Sequence, residues 1–234
     1  MKIALVTGGA RGIGAATVKK FACEQYTVIL NYNKSKEQAE ELKRELAALG
    51  CDVHLYQADV SDVQQVADMF SWVGKYFKKL DVLVNNAGIS LVKQLQDVTE
   101  AEFDSVMSTN SKSAFFCCKQ ALPLLKKSDS GTIVNVSSIF GVIGASCESV
   151  YSMSKFGVVG LSQSLAEELK PLNIAVNCVC PPIVLTDMSA HLTAQDVVDF
   201  CKLHDVRAYT PEQVAQDIFT LATSGETGKI FLEK

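Results

Sequence analysis

Short runs of aliphatic and β-branched residues alternate with amphipathic stretches along this chain, and no other feature limits its fold so tightly. The runs are KIALV (2–6), TVILN (27–31), DVHLYQ (52–57), DVLVN (81–85), TIVNVS (132–137), AVNCV (175–179) and KIFLE (229–233). Helical stretches lie between them at about 12–24, 35–49, 62–78, 99–127, 150–170 and 211–223. In SKEQAEELKRELAALG, Ala39, Leu42, Leu46 and Leu49 fall at helical spacing, and Gly50 ends the pattern as a C-cap. Strand–helix–strand alternation requires crossovers, which predicts a parallel sheet with helices on both faces. The runs are nearly continuously apolar, as strands covered on both faces are. There is no repeat, low-complexity tract or linker, so one α/β domain is expected over residues 1–234, with a seven-stranded parallel sheet in three layers. The segment 186–210 breaks the rhythm and is expected to be a lid over a site.

Composition narrows the function classes. Of 234 residues, 48% are hydrophobic and 21% charged, which suits a chain that builds its own core. The formal net charge is −4, whereas a dedicated nucleic-acid binder needs a basic surface for phosphates. No apolar run approaches the length that spans a bilayer. MKIALVTGGARGIG opens as a strand and a glycine turn, unlike a secretory leader, so the expected location is cytoplasmic. The eight cysteines, at 23, 51, 117, 118, 147, 178, 180 and 201, lack metal-finger spacing, and His54, His191 and His204 do not cluster with them. Buried free thiols and no metal site are expected.

LVTGGARGIGAATVKKF places Gly8, Gly12 and Gly14 between the first strand and the first helix, where a glycine turn points to nucleotide binding. Gly8 suits a tight turn. Gly12 lets the backbone approach a pyrophosphate at a helix N-terminus, and Gly14 allows close helix–strand packing. The second strand ends in Asn31, Tyr32 and Asn33, followed by Lys34 and Lys36. A carboxylate at this place would bind the ribose 2′-hydroxyl of NAD. Neutral and cationic groups, with Arg11 inside the turn, favour NADP(H). Asp59 and Val60 follow the third strand, where an adenine edge would lie; Asp59, Ser61 or Asp62 also suits as an N-cap. After the fourth strand, VNNAGIS supplies Asn85 and Asn86 to tie loops and Gly88 for close backbone approach.

Tyr151 and Lys155 stand four apart and share a helix face. A protonated lysine near a phenol favours phenolate, so the Tyr151 pKa is expected to fall and the residue to exchange a proton with a forming alkoxide. Ser138 ends the fifth strand, on the side where open α/β sheets bind ligands, and its hydroxyl suits a carbonyl oxygen. Asn110 lies inside a long helix, where asparagine is not preferred.

TGGARGIG, NNAG, Asn110, VNVSS and YSMSK occur in the order and approximate spacing of the short-chain dehydrogenases/reductases, and the chain resembles that family from residue 2 to the last strand. The resemblance implies a three-layer Rossmann fold with strand order 3-2-1-4-5-6-7. It implies an Asn110–Ser138–Tyr151–Lys155 tetrad in which Tyr151 is the acid/base, Ser138 positions the substrate oxygen and Asn110 holds a water in a proton relay. Lys155 would bind the nicotinamide ribose and lower the tyrosine pKa. Cofactor contacts would come from Gly8, Arg11, Gly12, Ile13 and Gly14, then Asn31, Tyr32, Asn33, Asp59 and Val60. Asn86, Ala87, Gly88, Tyr151, Lys155, Pro181, Ile183 and Thr186 would complete them. VILNYNKSKEQAEEL is most similar to the 3-oxoacyl-[acyl-carrier-protein] reductase branch, which implies NADPH, a 3-oxoacyl thioester and a homotetramer or homodimer built through the helices at 99–127 and 150–170. Pro181-Pro182 stands where the family has Pro-Gly, Leu172 where the branch has a basic residue, and the tail after ETGKIFLEK is expected to be short. Lys126 and Lys127 remain as contacts for an acidic carrier. Two other readings stay open: a reductase of another small ketone, sugar or steroid-like molecule, and a nucleotide-binding regulatory protein without turnover. A methyltransferase would share the glycine turn but leave Tyr151 and Lys155 unexplained.

Overall fold

The computed structural model describes residues 1–190 and 192–232. His191 of the expected lid and Glu233 of the expected last strand lie outside the described residues. The strands are β1 Lys2–Val6, β2 Tyr26–Tyr32, β3 Val53–Gln57, β4 Val82–Asn85, β5 Thr132–Val136, β6 Ala175–Val179 and β7 Ile230–Phe231. They form one sheet in the order β3-β2-β1-β4-β5-β6-β7, with every pair parallel. The order reverses between β1 and β4, which opens a crevice beyond their carboxyl ends.

The helices are α1 Gly12–Cys23, α2 Lys36–Ala48, α3 Val63–Tyr76, α4 Glu100–Met107, α5 Ser113–Leu125, α6 Ser149–Leu169, α7 Ala194–His204 and α8 Pro211–Thr223. On one face of the sheet, Val18 and Phe21 of α1, Leu42 and Leu46 of α2 and Ile218 of α8 pack against Val28 and Leu30. On the other, Met69 and Phe70 of α3, Leu124 and Leu125 of α5 and Leu169 of α6 pack against Leu5, Ile29 and Ile133. The alternation along each strand feeds the two cores in turn, so both faces read as apolar in the sequence.

Four departures from the sequence reading have local causes. The single helix expected over 99–127 is two helices joined by a π-helical turn, Ser108–Lys112, whose extra residue per turn carries Asn110 into the protein. The segment 186–210 contains α7, which the sequence reading left as an insertion. In α2 the buried stripe is Ala39, Leu42 and Leu46; Leu49 is 68% exposed because the helix has ended there, and Gly50 takes φ +78°. All eight cysteines are free, and Cys117, Cys118, Cys178 and Cys180 are buried, but Cys23 and Cys147 are exposed and Cys51 and Cys201 intermediate. Among the described residues, no helix is long and apolar enough to cross a membrane, and no three His, Cys, Asp or Glu side chains gather as metal ligands.

Candidate active site

The glycine turn sits at the mouth of the crevice. Gly8 and Gly12 take φ +62° and +51°, a left-handed backbone that glycine adopts without strain. A Cβ on Gly14 would lie 2.1 Å from the Gly8 carbonyl oxygen, so α1 meets the turn only because that position is bare. α1 starts differently from α3, α4, α7 and α8. Asp62 caps α3 by accepting from the Gln64 and Gln65 amides, and threonine capping boxes open α4, α7 and α8. The α1 N-terminus has no side-chain cap and no acidic residue in its first turn. Its first amides and dipole therefore face the crevice without a competing anion, as an anion site requires.

Thr7, to which the sequence reading gave no role, fixes the opposite wall. Its hydroxyl accepts from the Asn86 and Ala87 amides at 3.0 and 3.1 Å. The Asn86 side chain donates back to the Thr7 and Gly8 carbonyls at 2.9 and 3.2 Å. Asn31 is buried, and its side chain is spent on the frame: it accepts from the Gly8 amide at 3.3 Å and donates to the Ala58 carbonyl at 3.1 Å. Tyr32 is buried, while Asn33 is exposed at the strand end. Asp59 is relieved of capping by Asp62 and instead accepts from the Ser61 amide and hydroxyl at 2.9 and 2.7 Å. Partial burial alone would raise its pKa, but these bonds and one from Asn33 outweigh it and hold the carboxyl below its usual range. Val60 is buried beside it.

Asn110, Ser138, Tyr151 and Lys155 converge on the crevice from three elements. Asn110 clasps the loop after β4, its Oδ1 accepting from the Ile89 amide at 2.9 Å and its Nδ2 donating to the Ile89 carbonyl and the Ser154 hydroxyl, each at 2.9 Å. A Cβ on Gly88 would stand 3.4 Å from both Asn110 Oδ1 and Lys155 Nζ, so this glycine brings backbone next to both side chains. The Ser138 hydroxyl accepts from the Phe140 amide at 3.2 Å and lies close enough to the Tyr151 phenol to favour its ionised form. Lys155 is 4% exposed. Its Nζ donates to the Val136 carbonyl at 3.0 Å and lies 5.8 Å from the centre of the Tyr151 ring.

The expected fall in the Tyr151 pKa does not occur. Burial pushes the phenol up to about 12, against the Ser138 hydroxyl and with help from the Glu148 carboxylate. The lysine does not offset this because its own charge is suppressed. Burial pushes Lys155 down to about 8, only partly opposed by Cys178 and Cys180. Both groups share a desolvation that outweighs their mutual attraction and that a four-residue spacing does not reveal.

The remaining residues line the edge. Pro181 keeps its carbonyl on the Ile139 amide at 2.8 Å, so Pro-Pro leaves the strand end tied to the Ser138 turn. Ile183 is buried, and its carbonyl accepts from the Tyr209 amide at 2.9 Å. With the Leu185 amide on the Tyr209 carbonyl at 3.0 Å, this clamps the base of the segment that carries α7. Thr186 lies over the turn; a Cβ on Gly12 would be 3.3 Å from its methyl. Arg11 is exposed and its guanidinium is 3.5 Å from Asp187. Ile13 is partly buried in the first turn of α1. Phe140, Phe200 and His204, absent from the sequence reading, form an aromatic cluster that joins α7 to the Ser138 turn, with centroids 4.6–6.3 Å apart. A cleft of about 250 Å³ is lined by Ile89, Leu91, Glu102 and Val106 among others. Lys126, Lys127 and Leu172 lie elsewhere: the Leu80 amide donates to the Leu124 carbonyl and Asn173 to the Asp129 carbonyl, which puts them at the amino ends of the strands.

Similarity to known proteins follows this geometry. A family profile described as short chain dehydrogenase matches residues 2–197. The chain is 42% identical over 192 residues to 3-oxoacyl-[acyl-carrier-protein] reductase FabG of Staphylococcus aureus, covering 82% of this chain and 78% of that protein. It is 37% identical over 224 residues to the FabG of Thermotoga maritima, covering 95% and 90%. It is 35% identical over 222 residues to the 3-oxoacyl-[acyl-carrier-protein] reductase of Synechocystis, covering 95% and 89%. A crystal structure of a dehydrogenase/reductase from Sinorhizobium meliloti superposes with a TM-score of 0.91 at 30% identity, covering 99% of this chain and 93% of that one.

Proposed function

The chain belongs to the short chain dehydrogenase family of oxidoreductases, and from that premise we propose that it reduces a carbonyl to a secondary alcohol with NADP(H), in a single dinucleotide-binding domain. The observation that carries this reading is the convergence of Ser138, Tyr151, Lys155 and Asn110 beside Gly88 and the uncapped α1 terminus. A regulatory protein that only bound nucleotide would have no use for Ser138 against Tyr151.

The bare glycines and uncapped amides fit a dinucleotide. The amides of Gly12, Ile13 and Gly14 would take its pyrophosphate, and Asp59 and Val60 its adenine edge. Asn86, Ala87 and Gly88 form the wall, and Pro181, Ile183 and Thr186 the nicotinamide edge. Arg11, Asn33 and Lys34 are the polar groups that would meet a 2′-phosphate, Arg11 in exchange for its contact with Asp187. The Arg11–Asp187 pair is exposed on both sides and is held weakly, as such pairs are. When bound, NADPH supplies the hydride and its electron pair. Tyr151 gives its hydroxyl proton to the substrate oxygen. Ser138 holds that oxygen in line, and Lys155 places positive charge near the resulting phenolate. Asn110 fixes the Ile89 loop that forms one wall of the cleft.

The first substrate to test is a 3-oxoacyl thioester, because the curated relatives named above are 3-oxoacyl-[acyl-carrier-protein] reductases. Within one chain, Lys126 and Lys127 lie at the far end from the tetrad, so an acidic carrier bound there would serve the site of another copy. The exposed Phe115 of α5 and Met153 and Phe156 of α6 support a homotetramer or homodimer built on those helices. A cytoplasmic location agrees with this chemistry. The experiment is oxidation of NADPH and of NADH with 3-oxoacyl thioesters and a panel of small ketones. Faster turnover with NADPH and a 3-oxoacyl thioester supports the reading; turnover with NADH alone, or with none of the carbonyls, contradicts it. The rate should also fall as pH rises through about 8, the value to which burial pushes Lys155, because its charge is lost while Tyr151 stays protonated. A rate that is flat to pH 10 contradicts the role given to Lys155.

A further inference from the structure

Asp187 does no chemistry in the reaction above, yet it stands at the mouth of the crevice. It opens a short 3₁₀ turn, Asp187–Ser189, in the segment after β6. That turn is pinned from below. The Ser189 hydroxyl donates to the Val184 carbonyl at 2.7 Å and accepts from the Thr186 amide at 3.0 Å. The Tyr209 backbone holds Ile183 and Leu185 on either side of Val184. Thr186 packs over Gly12. A fixed turn thus brings a carboxylate across to the glycine turn, where Asp187 Oδ2 lies 3.5 Å from Arg11 Nη1 although the two residues are 176 positions apart.

The chemistry of the mouth gives this contact a consequence. The first turn of α1 holds no acidic residue, and its N-terminus has no side-chain cap. The lid segment therefore supplies, from far along the chain, a carboxylate beside a terminus suited to anions. Arg11 immediately precedes α1. A guanidinium can grip a phosphate through two parallel charge-assisted bonds. Its contact with Asp187 is single, long and exposed on both sides, at 58% and 79%. A phosphate can displace the carboxylate, but the contact given up is subtracted from what the phosphate gains. We propose that Asp187 is a specificity-determining residue: its carboxylate competes with the 2′-phosphate of NADP(H) for Arg11, and so sets how strongly the protein prefers NADP(H) over NAD(H).

This role rests on the NADP(H) reading above and adds a residue to it. The subtraction falls on one cofactor only. NAD(H) carries a neutral 2′-hydroxyl at that place, which has no claim on a guanidinium, so its binding leaves the Arg11–Asp187 pair intact. The pyrophosphate is common to both cofactors and cancels in the comparison. Asp187 thus lowers the preference that Arg11 creates. Because it belongs to the segment that carries α7, cofactor choice is set in part by the same segment that packs against the Ser138 turn.

The test is titration calorimetry on the purified full chain with NADP⁺ and NAD⁺, for wild type and Asp187→Asn, and for the same substitution in an Arg11→Gln background. Asp187→Asn should tighten NADP⁺ by about two- to fivefold, the scale of an exposed pair, and leave NAD⁺ unchanged. Asp187→Glu keeps the charge and should bind NADP⁺ as wild type does. In the Arg11→Gln background most of the gain should vanish, because the group in contention is gone. A full gain that persists without Arg11 overturns the proposal, since Asp187 would then act on the phosphate directly. Equal tightening of NADP⁺ and NAD⁺ overturns it as well, because Asp187 would then oppose the shared pyrophosphate. The two readings fail separately. Wild type that favours NAD⁺ contradicts the NADP(H) reading, whereas an NADP⁺ affinity unmoved by Asp187→Asn contradicts the role of Asp187.

Discussion

Helices α7 and α8 open with the same device and end with opposite roles. Each starts at a threonine, Thr193 or Thr210, whose side chain and that of the residue three positions on satisfy each other's backbone amides. α8 then sinks Val214, Ala215, Ile218, Leu221 and Ala222 into the core beneath α1, whereas no residue of α7 is fully buried. Equal capping therefore does not mean equal anchoring: most helical stability comes from the packed face. α8 belongs to the scaffold. α7 is attached through the Tyr209 clamp at its base and the Phe140–Phe200–His204 cluster, so it can shape the space beside the Ser138 turn at little cost to the fold.

The largest expected effect falls on α8. Ile218 is fully buried, and Ile218→Ala should cost about 2–5 kcal/mol in urea unfolding while leaving the turnover of the folded fraction near wild type. An equal loss from Phe200→Ala would erase the distinction between the helices. Phe200→Ala should instead change kcat/KM by about tenfold, the scale of a pocket contact, with global stability altered by less than about 1 kcal/mol. The caps give the smallest and sharpest contrast. Thr193→Ala and Thr210→Ala each remove about 1 kcal/mol of helix stability. For Thr210 that loss should appear in the global unfolding midpoint. For Thr193 it should appear only as faster amide exchange or proteolysis within 194–204, since a weakly anchored helix opens by itself.

The same contrast explains what was legible in the sequence. The parallel strands and the helices packed on them were readable, because such strands and their crossovers leave long apolar and amphipathic runs; the strand order came only from the family resemblance. α7 left a weaker stripe: Val197, Phe200, Cys201 and His204 fall at helical spacing and are its partly buried residues, but Val198 and Leu203 on the exposed face blur it. Thr193 followed by Asp196 marked its start. The site positions were legible as a set of motifs, but their partners were not. Asn31 stood out because it ends the second strand where a carboxylate would bind the NAD ribose, and its bonds to the Gly8 amide and the Ala58 carbonyl could not be read from the sequence. Asn110 looked out of place in a helix, and the π-helical turn gives it the Ile89 backbone to hold. The direction of the Tyr151 shift could not be read from spacing, since four-residue separation says nothing about how much water surrounds the pair.

The central claim is that Tyr151 delivers the proton. The direct measurement is kcat for NADPH-dependent reduction of a 3-oxoacyl thioester by wild type and Tyr151→Phe, with cofactor affinity measured in parallel. Removing a general acid costs about 10²–10⁴-fold, so kcat should fall by that factor while NADPH affinity stays within a fewfold of wild type. A Tyr151→Phe protein that turns over at the wild-type rate would contradict the account.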